Sequence, residues 1–221
     1  MSVGGSLIVP DQIDTDFLKR FKALITEKVA QGFSFCIITG GGKTCRRYQA
    51  AAEEVVPEIT QTDLDWVGLN INTYHAKFLR ILFGGMAAPV IVEDFSQPVP
   101  TGHPIILVGA EAPGHSSDYD AVVMAKLYGA KRLVNLSNID YVYDSDPRTN
   151  PDAKKIEKII WAEFRKIIPD EFTPGLSSPF DPVAAREAEA LGLEVAVING
   201  TKLEEFSNYL DGKPFAGTVI S

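Results

Sequence analysis

Three short glycine-bearing stretches, Gly4-Gly5-Ser6, Gly40-Gly41-Gly42-Lys43 and Pro113-Gly114-His115-Ser116-Ser117-Asp118, each stand between an apolar run and a segment of helical period. A loop of this kind sets unpaired amides and the positive end of a helix dipole beyond a strand, and glycine lets main chain approach an anion closely. Three such loops in one chain point to phosphate. Glycines also make the tight turns that any α/β sheet requires, so no single loop decides between the two readings. None fits G-x-x-x-x-G-K-[ST] or a complete G-x-G-x-x-G, which leaves the Walker-type and dinucleotide-binding folds without support.

Lys43, Arg46 and Arg47 follow the triple glycine, and a helix there puts Lys43 and Arg47 on one side, placed to neutralise a phosphate dianion or to form a solvated basic face. His115 with Ser116, Ser117 and Asp118 invites comparison with a serine hydrolase. G-x-S-x-G is absent, so hydroxyls and amides offered to phosphate explain these residues better. His75 and His103 stand alone and read as structural. Cys45, beside two arginines, has the setting for a lowered thiol pKa, but packing between helices accounts for it more simply.

The stretch LSNIDYVYDSDPRTNPDAKKI, Leu136 to Ile156, holds several aspartates and two prolines behind an apolar run. Asp140, Asp144 and Asp146 lack the glycine and the terminal glutamate of a calcium loop, which removes that reading. What remains is a strand end at Leu136, a polar elbow Ser137-Asn138, an extended piece Ile139 to Tyr143 and a turn at Asp146-Pro147. In an open α/β sheet, ligands gather beyond the carboxyl ends of the strands, where this elbow must lie.

The elements that position these loops alternate as short β-branched runs and longer helical patterns, the signature of a largely parallel sheet. Strands are expected over Ser2 to Val9, interrupted by Gly4-Gly5, and over Phe33 to Thr39, Pro89 to Val92, Pro104 to Val108, Arg132 to Leu136, Leu193 to Ile198 and Gly217 to Ile220. Helices are expected over Asp14 to Gln31, Cys45 to Val55, Trp66 to Phe83, Tyr119 to Tyr128, Trp161 to Ile167, Asp181 to Leu191 and Leu203 to Leu210. In the first of these, Phe17, Leu18, Phe21, Leu24, Ile25 and Val29 share one face, with Asp14 or Thr15 as its cap. Pro98, Pro100 and Gly102 mark a turn. No segment reads as a linker, so 1–221 is expected to be one domain, with any division near 100–110 separating two lobes of one sheet.

With 221 residues and 45% apolar content, the chain can bury one substantial core. Its 21 basic and 29 acidic side chains give a formal charge of −8, which argues against broad binding to nucleic acid or an anionic membrane. Two cysteines supply neither a disulfide framework nor paired zinc ligands, and no dedicated metal site is evident. No run approaches the length of a membrane span and no leader pattern opens the sequence, so a cytoplasmic setting is expected.

Taken in order, GGS, GGGKxxR, DxxG, PGHSSD, SNIDYVYDSDP with PDAKKI, SSPFDPVAA and a terminal GT closely resemble the amino acid kinase superfamily and, within it, the uridylate (UMP) kinases of archaeal type. Each motif is weak alone, but the ordered set spans Val3 to Ile220. The resemblance implies a three-layer α/β/α sandwich with a central mostly parallel sheet, an acceptor lobe over about 1–108 and an ATP lobe over about 109–221. It also implies transfer of the ATP γ-phosphoryl group to UMP, a requirement for Mg2+ with ATP, and a hexamer built as a trimer of dimers. Residue by residue, Gly4, Gly5 and Ser6 resemble the loop that meets the transferring phosphate. Gly41, Gly42 and Arg46 resemble the loop that holds it and the UMP phosphate, with Lys43 beside the transferred group. Asp65 with Gly68 matches the pair at the UMP ribose and phosphate, and Pro113, Gly114, His115, Ser116, Ser117 and Asp118 the loop closing over UMP. Ser137 and Asn138 fall near the ATP phosphates, Asp140, Tyr143 and Asp146 around the adenosine, and Asp181 near the phosphate end.

Phosphoryl transfer asks for in-line positioning and charge neutralisation, so glycine amides, Lys43, Arg46 and magnesium suffice without a covalent nucleophile or a general base. Ser2 stands where many superfamily members carry lysine, which the archaeal-type enzymes also commonly lack; the chain departs from the family at Tyr141, where a glycine is usual, and at Asn72-Thr73-Tyr74-His75-Ala76, where Thr-Arg-x-Asn-Ala is usual. Two further readings therefore stand beside a UMP kinase: the same fold acting on another small acceptor, such as a carboxylate, carbamate or isopentenyl-type phosphate, and a non-catalytic nucleotide-binding, storage or regulatory protein.

Overall fold

A computed structural model of the chain describes residues 1–100, 102–171 and 178–221. In chain order the elements are β1 (Ser2–Val3), α1 (Gly5–Ile8), α2 (Thr15–Ala30), β2 (Phe35–Thr39), α3 (Gly42–Val55), α4 (Gln61–Phe83), β3 (Ala87–Val92), β4 (Ile105–Val108), α5 (Ser117–Leu127) and β5 (Arg132–Ser137). They continue with β6 (Val142–Tyr143), β7 (Lys155–Ile156), β8 (Lys158–Ile159), α6 (Trp161–Ile167), α7 (Pro182–Ala190), β9 (Glu194–Asn199), α8 (Leu203–Leu210) and β10 (Thr218–Ile220). Ser177, the first residue of the SSPFDPVAA motif, and Thr101, inside the expected proline-glycine turn, lie outside the described residues.

The main sheet runs β3-β4-β2-β1-β5-β9-β10-β8, and every neighbouring pair is parallel except β10 against β9. Period-2 alternation sorts its side chains into two cores. Ile37, Ile105, Leu107, Val134, Leu136, Ala196 and Ile198 face the layer of α1, α2, α4 and α8. Ile38, Ile106, Val108, Leu133, Val195 and Val197 face α5, α6 and α7. Burial on both faces explains why these strands read as unbroken apolar runs. The arrangement is the expected three-layer sandwich, and Phe17, Phe21 and Ile25 of α2, all within 2% of full burial, each contribute about 2 kcal/mol to holding one layer down.

Local chemistry moves several boundaries. The first strand ends at Val3 rather than Val9, because the Gly4 N–H bonds to the Leu136 carbonyl (3.0 Å) and the chain then coils so that adjacent Leu7 and Ile8 both reach the core, which an alternating strand forbids. α3 begins at Gly42, whose φ of +58° lets the helix leave the glycine loop three residues earlier than Cys45. α4 begins at Gln61 rather than Trp66, since the Thr60 hydroxyl accepts the Asp63 N–H (3.1 Å) and caps it. The β6–β7 ribbon and the edge strand β8 were legible only as an extended piece ending at Tyr143 and as loop.

Candidate functional site

Because β1, β2, β4, β5 and β9 are parallel, the loops that follow them share one edge of the sheet. Two of these loops interlock. A Cβ on Gly5 would stand 2.2 Å from the Gly40 carbonyl oxygen, and one on Gly42 would stand 2.5 Å from the Gly5 carbonyl carbon. Only glycine permits that approach. His75, almost fully buried on α4, steadies the junction by hydrogen bonding through Nδ1 to the Gly40 carbonyl oxygen (2.9 Å), and burial lowers its pKa. Its structural reading therefore has a concrete role: it holds the glycine loop.

Beside this junction opens a cleft of about 370 Å³, lined by α3, α4, the loop before α5 and the segment entering α7. Gly41, Gly42, Arg46, Asp65, Gly68, Gly114, His115, Ser116, Ser117, Asp118 and Asp181 meet there. These are nearly all the residues singled out for the acceptor. Pro113 precedes the lining, and the His115 ring packs 4.5 Å from that of Tyr119. Three helix N-termini converge on the space. Those of α5 and α7 are capped by side chains, Ser116 accepting the Tyr119 N–H (3.1 Å) and Asp181 the Ala184 N–H (2.7 Å). α3 has no side-chain cap, so its first amides are offered to the cleft, as an anion requires.

Among the described residues lining the cleft, Arg46 is the one Lys or Arg side chain, against the carboxylates of Asp65, Asp118 and Asp181. Asp118 keeps an edge on the cleft while its carboxyl group is enclosed, accepting the Asp181 N–H (3.2 Å) and the Ser2 hydroxyl (3.3 Å). Burial, and then the neighbouring Asp181 charge, push its pKa up to about 7. Ser2, two residues before the first glycine pair, therefore serves this carboxyl group.

Lys43, expected beside the transferred phosphate, is held elsewhere. Its ammonium lies 3.2 Å from Asp11, which Arg47 also grips at 2.9 Å, and these contacts, the Lys43 hydrogen bond foremost, hold the Asp11 carboxyl below its ordinary value. Lys43 and Arg47 do share one side of α3, as their spacing predicted, but that side faces Asp11. Cys45 is a packing residue: a Cβ on Gly68 would lie 3.0 Å from its Sγ, and burial raises its thiol pKa.

The residues expected around ATP lie along the neighbouring strand ends. Gly4, Gly5 and Ser6 follow β1, next to Ser137 and Asn138 at the end of β5, whose outer neighbour β9 leads to Asn199. Asp140 accepts from Asn199 (2.8 Å) and pairs with Lys202 (2.7 Å), Tyr143 lies in β6, and Asp146 holds the exposed Arg148 guanidinium (2.8 Å). Tyr141 receives the Lys155 ammonium over its ring, 4.7 Å from the centroid.

Gln49, Leu69, Asn72 and Ser178 also line the cleft; Gln49 and Leu69 carried no expectation, while Asn72 and Ser178 stood only within longer motifs. Helical spacing carried the signal for three of them: Gln49 is three residues past Arg46, Leu69 four past Asp65, and Asn72 four past Gly68.

A parallel sheet whose carboxyl edge gathers interlocked glycine loops and converging helix N-termini defines a phosphate-handling α/β protein. The chain belongs to the amino acid kinase family, whose model matches residues 1–199. It is 32% identical over 221 residues to the uridylate kinase of Thermococcus onnurineus (strain NA1), covering 99% of this chain and 96% of that protein. Against the solved uridylate kinase of Archaeoglobus fulgidus the TM-score is 0.82 at 27% identity, covering 100% and 98% of the two chains. An aspartate kinase from Synechocystis shares the fold, with a TM-score of 0.75 at 15% identity over 39% of its length, so the fold alone leaves the acceptor open.

Proposed function

We propose that the protein transfers the γ-phosphoryl group of ATP to UMP, giving UDP and ADP. The observation that carries this reading is the cleft itself, which brings Gly41, Arg46, Asp65, Gly68, the loop 114–118 and Asp181 around one space. Full-length similarity to proteins named uridylate kinase supports the choice of acceptor. In this reading the acceptor lobe, about 1–108, supplies Arg46 and the uncapped amides of α3 to the UMP phosphate, and Asp65 to the ribose. The lobe from about 109 onward supplies the ATP wall, with Ser137 and Asn138 at the phosphates and Asp140, Tyr143 and Asp146 at the nucleoside. The acceptor phosphate is already an anionic nucleophile, so the chain's task is positioning and charge neutralisation.

Magnesium belongs to this reading and the donor set suits it. Among the described residues no three His, Cys, Asp or Glu side chains gather as a metal cage. A hard cation arriving on ATP phosphates needs no more than one or two carboxylates, and Asp181 lines the cleft to offer one. Bound there, it would offset the negative charge that one arginine leaves uncompensated.

A homo-oligomer, as a hexamer of three dimers, is also part of the proposal. Tyr48 (60% exposed), Val55 (79%), Tyr74 (66%) and Ile81 (66%) leave apolar surface on α3 and α4. Among the described residues no helix is long and apolar enough to cross a membrane, and both cysteines are free, which suits a reducing cytoplasm. The test is a coupled assay with ATP, Mg2+ and a panel of acceptors. UDP formation from UMP, preferred over other phosphates and carboxylates, is the expected result; no UDP at millimolar UMP overturns the reading.

A further inference from the structure

We infer that Gln49 selects the acceptor by presenting a fixed hydrogen-bond acceptor to the uncharged part of the molecule, an inference that rests on the cleft being the UMP site. Gln49 lines the cleft on the same face of α3 as Cys45 and Arg46, one turn further from the glycine loop. Its Nε2 donates to the Leu64 carbonyl (3.0 Å). A carbonyl oxygen can only accept, so the amide nitrogen must face Leu64 and Oε1 must face the other way. Gly68 makes this geometry feasible: a Cβ there would come within 3.3 Å of the Gln49 Nε2 and 3.0 Å of the Cys45 Sγ, pushing both side chains by a few tenths of an ångström.

Placement along the helix says which part of the acceptor Gln49 meets. It lies seven residues beyond Gly42, about 10 Å along the axis at the usual helical rise. The anion-binding amides are at the start of α3, so a nucleotide anchored there by its phosphate lays its sugar and base toward Gln49. An oriented acceptor matches a donor. Ribose hydroxyls and the N3–H of uracil are donors, whereas N3 of cytosine is an acceptor and would face Oε1 lone pair to lone pair. A half-buried group of fixed polarity rejects the mismatched analogue more strongly than shape alone can.

The test replaces the amide with an apolar side chain of similar length, Gln49→Met, and measures kcat and KM for UMP, CMP and dUMP. Gly68→Ala, which displaces the amide without changing Gln49, serves as an independent second variant, and melting curves establish that both fold. The expected result is a fall in the UMP-to-CMP ratio of kcat/KM of about tenfold or more in both variants if the base is read. If the ribose is read, the UMP-to-dUMP ratio collapses by a similar factor instead. UDP production by the wild-type chain with both ratios unmoved in the folded variants overturns the inference alone. No UDP from the wild-type chain overturns the UMP reading, and this inference with it.

Discussion

The main chain of Gly5 lies so close to Gly40 that a Cβ would stand 2.2 Å from the Gly40 carbonyl oxygen, and that same oxygen receives the buried His75 ring. The two glycine loops and α4 therefore form one unit at the mouth of the cleft. Gly5→Ala must part the loops, and kcat/KM is expected to fall by about a hundredfold, the scale of a misplacement near one ångström. Gly85→Ala, where a Cβ would meet nothing within 4 Å, is the control and should leave both activity and melting temperature unchanged.

Arg46 and Lys43 should behave differently, although the sequence sets them three residues apart. Arg46 faces the cleft, and Arg46→Ala is expected to raise KM for UMP or reduce turnover by at least about tenfold, the effect of losing one charge-assisted phosphate contact. Lys43 spends its charge on Asp11 at an exposed surface, and Lys43→Ala should stay within about fivefold of wild type. Steady-state kinetics on the two variants decide the matter; an equal loss would return Lys43 to the reaction.

Much of the sheet was legible because buried parallel strands announce themselves as apolar runs, and α6 and α8 were bounded correctly from period alone. What the sequence left hidden shares a cause. Ser2 to Val9 read as strand because Leu7-Ile8-Val9 is apolar and includes two β-branched residues, whereas a main-chain bond from Gly4 to a strand 132 residues later ends the strand. The Lys43–Asp11 ion pair was not legible because Asp11 lies on another loop, whereas the distance of Lys43 from the glycine triplet is visible in sequence. Tyr141 was unexplained for the same reason: Lys155 reaches it across the β6–β7 ribbon, a pairing that no local pattern encodes.

Stability should fall as pH rises from about 4 toward neutrality. Asp118 and Asp120 are held protonated to about pH 7, in both cases chiefly by burial, helped at Asp118 by Asp181 and at Asp120 by Glu111. Their folded pKa values lie above the ordinary carboxyl value, so between about pH 4 and pH 7 the folded chain binds more protons than the unfolded one. Stability therefore declines across that window and levels off above it. Asp11, Asp140 and Asp211, whose pKa values are lowered by cationic and amide partners, act in the opposite sense and only in more acidic solution. Asp120→Asn removes one of the two buried ionisations. Thermal melts are expected to show it more stable than wild type by about 1–3 kcal/mol near pH 8, with the gap closing toward pH 4. A wild-type melting temperature that climbs from pH 5 to pH 8 would contradict the placement of these carboxyls.

Lys28 offers the sharpest test of the packing between α2 and α8. Its side chain is fully buried, its ammonium meets the Asp211 carboxylate just past the end of α8, and Gln31 accepts from it at 3.4 Å. Removing one partner of such a pair leaves an uncompensated charge in the core, which costs more than the pair itself contributes. Asp211→Ala should therefore lower the melting temperature by several degrees. Lys28→Met, which keeps the volume and removes the charge, should cost less, because Asp211 can turn to water and to Lys213, already 2.9 Å away. The double variant should be no worse than Asp211→Ala alone, and melting curves on the three proteins establish that order. Equal losses in the two single variants would mean that the Lys28–Asp211 pair itself, rather than the charge stranded by Asp211→Ala, sets the cost.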